Sequence, residues 1–133
     1  MDDNELKNLY NKFEIENILS FNEFDIQEKL QENAYRILQF GDLLIKEKKK
    51  LDELNEARDI YIGNLYDNLR FNNDKNLTKV EIEKYYIPTD KKLHLINSKI
   101  RKIETRVRFF EIIVKSLEKQ SWNMSVFSKN LKS

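Results

Sequence analysis

Leu93, Ile96, Ile100, Ile103, Val107, Phe110, Val114 and Leu117 follow one another at alternating intervals of three and four residues over four heptads. Such spacing holds an apolar stripe on one face of a helix and keeps it aligned with a supercoiled partner helix, because the repeat averages 3.5 residues. A chain carrying it must supply something for that stripe to pack against. The candidate lies upstream, where Leu30, Ile37, Leu44, Leu51, Arg58 and Leu65 fall seven residues apart, flanked by Ile26, Ala34 and Leu54. Asp25 is placed to cap this earlier helix, expected over 25–69 and losing helical character around Gly63. Only two glycines and one proline occur among 133 residues, so sheets and tight turns have few of the residues they need.

Between the two stripes, the Asn-rich stretch 64–76 reads as a frayed end and a loop, and 70–90 as a loop with one short helix. Thr78-Lys79-Val80-Glu81 is a capping box that starts that helix, and Pro88 stops it. Thr89 or Asp90 then caps the second long helix, expected over 91–120. Residues 121–133 read as a short C-terminal helix capped by Ser121. Residues 1–24, with Leu6, Leu9, Tyr10, Phe13, Ile15, Ile18 and Leu19, read as an N-terminal amphipathic helix ending near Ser20. The expected fold is all-α in a single domain: a long antiparallel, coiled-coil-like hairpin with short accessory helices at the N-terminus, before Pro88 and at the C-terminus. Two helices cannot cover both stripes, so Phe109, Ile112, Ile113, Trp122, Val126 and Phe127 are expected to drive homo-oligomerisation.

Chemistry-bearing constellations are sparse. The chain has one histidine and no cysteine, which removes thiolate sites, and no second ligand stands at metal spacing from His94. There is no glycine-rich phosphate loop, so neither an enzyme nor a cofactor or metal is expected. The N-terminus lacks the basic and apolar blocks of a secretory signal, and no apolar run has membrane-spanning length; an intracellular protein without membrane partners is the expectation.

Charge is informative through its placement. Residues 1–88 hold 13 Lys/Arg against 19 Asp/Glu, whereas residues 89–133 hold 11 against 4. Lys46, Lys48, Lys49 and Lys50 form one basic cluster; Lys91, Lys92, Lys99, Arg101, Lys102, Arg106 and Arg108 form another. They read either as the solvated flanks of a coiled coil or as cations tracking a phosphate backbone, with Tyr61, Tyr85, Tyr86 or Trp122 available to stack bases. Arg58 falls on the seam stripe, where an interface arginine paired with a carboxylate is the structural alternative.

Three stretches in order carry a further likeness: Ala57-Arg58-Asp59-Ile60-Tyr61-Ile62-Gly63, Glu83-Lys84-Tyr85-Tyr86-Ile87-Pro88-Thr89-Asp90 with the heptads behind it, and Glu118-Lys119-Gln120-Ser121-Trp122-Asn123-Met124. From Glu56 onward the chain resembles the UvsY family of tailed-phage recombination mediators. The resemblance covers about 75 residues well. It implies a non-enzymatic protein that binds single-stranded DNA and loads a RecA-like recombinase onto strand coated by single-strand-binding protein. It also implies a hexameric or heptameric ring working in the cytoplasm of an infected bacterial host. Arg58 matches the second of a basic pair that the family links to DNA binding, while Glu56 stands where the first would be and Ser125 where the family tends to carry a basic residue. The expected DNA-binding set is Arg58, Tyr61, Lys46, Lys49, Lys50, Lys99, Arg101, Lys102 and Arg106. A helical scaffold or chaperone-like oligomer without DNA binding is the alternative.

Overall fold

The computed structural model describes residues 2, 4–8, 26–72 and 74–132. Two long helices dominate it, α1 (Ile26–Phe71) and α3 (Lys91–Lys132). Between them lies a short helix α2 (Lys79–Glu81), prolonged by a π-helical turn (Ile82–Tyr86). No strand occurs among the described residues, so the all-helical expectation holds. Leu9 to Ser20 and Asp25, assigned above to a first helix and a cap, lie outside the described residues. At the N-terminus a helical turn spans residues 4–8, where Asp2 Oδ1 accepts from the Glu5 N–H at 2.7 Å.

The chain forms two compact units, residues 1–42 with 110–133 and residues 43–109. In the first, α1 contributes Ile26, Asn33 and Phe40 to the interior, and α3 contributes Phe110, Ile113, Leu117 and Met124, the last two with no exposed surface. The Phe40 and Phe110 rings lie 6.2 Å apart at 38°, and Asn33 Nδ2 donates to Gln120 Oε1 at 2.9 Å. As numbers rise on α1 they fall on α3, so the pair is antiparallel. A buried asparagine satisfied only in one register disfavours a slip of the helices past each other.

In the second unit Leu93, Ile100 and Val107 of α3 are buried, as are Leu77 and Ile82 from the connection. That connection is built by side chains. Arg70 Nη1 donates to the Leu77 carbonyl at 2.9 Å, and Asn76 takes a positive φ of 53°, a conformation asparagine tolerates. The threonine half of the capping box forms: Thr78 Oγ1 accepts from the Glu81 N–H at 3.2 Å, while the Glu81 carboxylate accepts from the Thr78 hydroxyl at 2.9 Å. Ile87 N–H reaches back five residues to Ile82 O at 3.0 Å, closing the π turn. The Thr89 hydroxyl then donates to Tyr85 O at 2.7 Å, which leaves Asp90 as the cap of α3.

Three expectations need correction. Helix α1 does not fade at Gly63 but runs on to Phe71. A glycine inside a helix costs only about 1 kcal/mol against alanine, too little to end a helix held by packing. Helix α3 does not stop near Gln120 and restart: it is continuous to Lys132, and Ser121 caps nothing. Its Oγ is buried with no hydrogen-bond partner among the described residues, and Met124, one turn on, continues the heptad into the interior. Finally, Ile113, expected on an oligomer surface, is 1% exposed and packs inside its own chain.

Continuity of α3 has a measurable consequence. Met124→Ala should lower unfolding stability by about 2–5 kcal/mol, as removal of a buried side chain does. The same change at the exposed neighbour Trp122 should move the lone fold by under about 0.5 kcal/mol; denaturant titration of both variants reads the difference.

Candidate nucleic-acid interface

The residues expected to touch nucleic acid lie in the second unit, on α1 and on the first half of α3. Successive residues on a helix point 100° apart, so Lys46, Lys48, Lys49 and Lys50 are distributed around α1 and form no single face. Lys46 and Lys48 have partners, and Lys50 Nζ lies 3.5 Å from Glu47 Oε1. Glu47 is 5% exposed, and its second oxygen has no hydrogen-bond partner among the described residues. A carboxylate held this close to the seam offsets part of the lysine charge. Lys49 is exposed.

On α3, Lys99 and Arg106 are seven residues apart and share one flank; Arg101 shares the other with Arg108, and Lys102 lies between. Lys99, Arg101 and Lys102 are exposed, Arg106 half-buried. Arg58 is half-buried on α1, with its side chain 33% exposed, and its Nε lies 3.6 Å from Oδ1 of the adjacent Asp59. That contact is long and local, so the guanidinium retains access to solvent and is not locked across the helix pair.

Tyr61 links the two long helices. Its hydroxyl donates to Asp90 Oδ2 at 2.6 Å, and Lys92 Nζ lies 5.3 Å from its ring centroid. Asp90 Oδ2 also accepts from the Leu93 N–H at 2.9 Å, so one carboxylate oxygen caps α3 and ties α1 to it. With its hydroxyl bonded and a lysine over its ring, Tyr61 has a structural role in holding α1 to the start of α3. Tyr85 is exposed, with Lys84 Nζ 5.7 Å from its ring centre; Tyr86 is half-buried.

The Tyr61 hydrogen bond, followed by that from the Leu93 backbone, holds the Asp90 carboxyl below its usual range, while the same bond to Asp90 pushes the Tyr61 phenol above its own. His94 is exposed in the first turn of α3, and its N–H bonds Asp90 O at 3.1 Å. Among the described residues no cluster of three His, Cys, Asp or Glu could hold a metal ion, and no helix is long and apolar enough to cross a membrane. A shallow cleft of about 480 Å³ is lined by Ile62, Gly63, Tyr66, Asp67, Lys79, Glu83 and Ile87. Its floor is open at Gly63, where an added Cβ would meet nothing within 4 Å.

In the first unit, Ile112, Trp122, Val126 and Phe127 are exposed as expected, joined by Tyr35 and Leu38 of α1; Phe109, in the second unit, is half-buried. The sequence reading passed over Lys115, Lys119 and Lys129, which surround Trp122 on α3. Their seven- and three-residue offsets from it were the signal. No protein-family model, curated protein or solved structure matches this chain.

Because Asp90 is held acidic in the folded state, its contribution to stability is complete above its ordinary value of 3.8 and fades as pH falls through the lower folded value. Tyr61→Phe should therefore lower the melting temperature at pH 7, and the gap from the parent chain should close as pH drops below 3. Thermal melts over pH 2–7 measure it; an equal gap at every pH would assign the effect to packing.

Proposed function

We propose that this chain is a recombination mediator of the UvsY type, an oligomeric, non-enzymatic protein that binds single-stranded DNA. It would promote loading of a RecA-like recombinase onto strand coated by single-strand-binding protein in the cytoplasm of an infected bacterial host. The observation that carries the reading is the ordered set of three stretches resembling that family. Two of them meet physically, since Tyr61 of the first bonds Asp90 of the second. Solvent access of Arg58 and the exposed Lys49, Lys99, Arg101 and Lys102 supply cations for a phosphate backbone. Exposed Phe127, with Tyr35 and Leu38 of α1, supplies apolar surface for copies to cluster, in a ring of six or seven by analogy, and clustering multiplies weak contacts into avidity. The scaffold reading, in which charge serves only solubility and pairing, draws on the Lys50–Glu47 and Arg58–Asp59 contacts.

Fluorescence anisotropy of a labelled oligo(dT) separates them. A mediator making about four phosphate contacts should lose roughly fiftyfold in affinity between 50 and 200 mM salt. Arg58→Ala should weaken binding several-fold and flatten that slope by about 0.7 while the assembly keeps its mass. Absence of binding at low salt would favour the scaffold, and collapse of the assembly in the variant would make Arg58 structural.

A further inference from the structure

In the first unit, α3 turns Phe110, Ile113, Leu117 and Met124 inward. The opposite face is set by the same helical repeat: Ile112, Lys115, Lys119, Trp122, Val126 and Lys129 follow at intervals of three and four residues, and every one is exposed. Glu111 and Glu118, the acidic residues of this half of α3, run along one edge of the row, Glu118 three residues from Lys115 and four from Trp122, so the lysines outnumber the carboxylates on this face by three to two. Lys115, Lys119 and Lys129 make no ion pair among the described residues. Trp122 is 67% exposed, and an indole left in water on a helix surface has a large area to bury in any complex.

We infer that this face is a second contact surface for single-stranded DNA, with Trp122 stacking on a base and Lys115, Lys119 and Lys129 neutralising the phosphates on either side. The inference rests on the reading of the protein as a single-strand binder and adds a site distinct from Arg58 and the cations of the second unit. At 1.5 Å rise per residue, Lys115 and Lys129 stand roughly 10 Å to each side of Trp122 along the helix, and Lys119 about one turn from it. A few nucleotides of extended strand can follow such a row.

The ligand's chemistry follows from the combination. Lysines call for a polyanion, and the exposed indole calls for a flat apolar face with which to stack. Unpaired bases offer that face, whereas in a duplex both faces of each base are already stacked. A second copy of the chain suits the row poorly. Two-fold pairing of this face would set three lysines of each copy against one another with only Glu111 and Glu118 at its edge, and the ring proposed above can close through the exposed Tyr35, Leu38 and Phe127 instead. Ile112 and Val126, one turn or more from the indole, offer apolar ground for sugars and base edges beside it.

Trp122 is the one tryptophan of the chain, so intrinsic emission reports on this site alone. Full-length protein is titrated at low salt with a labelled 30-nucleotide oligo(dT), reading tryptophan emission and strand anisotropy together. The expected result is quenching that saturates at the same strand concentration as the anisotropy, with no quenching by a duplex of equal length. Trp122→Ala should weaken binding roughly 5- to 100-fold and Trp122→Phe far less, as stacking requires. The double change Lys115→Gln and Lys119→Gln should flatten the salt slope by about 1.4. If anisotropy rises while emission stays constant, the strand runs elsewhere: this site is wrong and the mediator reading stands. If neither signal moves, both fall. If emission shifts blue with protein concentration in the absence of DNA and Trp122→Ala breaks the assembly, the face is a subunit contact and the inference is overturned.

Discussion

Burial of the apolar rows of α3 against α1 is the interaction on which everything else rests, because among the described residues these rows and the short connection supply all the buried apolar side chains. Each fully buried aliphatic or aromatic side chain contributes about 1.5–3 kcal/mol, and Phe110, Ile113, Leu117 and Met124 in one unit, with Ile82, Leu93 and Ile100 in the other, carry most of it. Hydrophobic rows alone tolerate sliding by whole turns. Polar contacts remove that freedom: Asn33 with Gln120 in the first unit and Tyr61 with Asp90 in the second each find a partner in one register only.

Spending apolar residues on one face of α3 fixes the character of the other. A helix that packs through one stripe leaves a second row at the same period facing water, and there this sequence places lysines around one indole. The proposed activity thus needs no pocket and no catalytic group. It needs a stiff helix that holds cations and an aromatic ring at constant spacing, and copies enough to make weak contacts additive. Tyr61, near the helix seam, also holds the scaffold together through Asp90.

The heptads of α3 from Leu93 to Leu117 were legible, since eight strong apolar residues repeat without interruption. On α1 only half the seam could be read. The row through Leu30 and Leu44 was visible, but the positions buried deepest include Ile26, Asn33, Phe40 and Glu47, also seven apart, and hydrophobicity does not flag an asparagine or a glutamate as interior. Ser121 fits both a cap and a helix interior; the decisive sign was Met124 standing in register with Leu117. The partner of the Tyr61 hydroxyl is 29 residues away, beyond any local pattern, so the basic and aromatic surroundings suggested a ligand where the chain bonds to itself. Ile113 was misplaced because the α3 interior is wider than a two-residue stripe.

The central claim joins self-association to capture of unpaired strand, and sedimentation velocity on the full chain tests both at once, with and without an unlabelled oligonucleotide, at 50 and 300 mM salt. The account predicts a species several times the 16.1 kDa chain mass at both salts. Strand should co-sediment with it at 50 mM and be released at 300 mM. A single monomeric boundary that ignores the oligonucleotide in dilute buffer would contradict it.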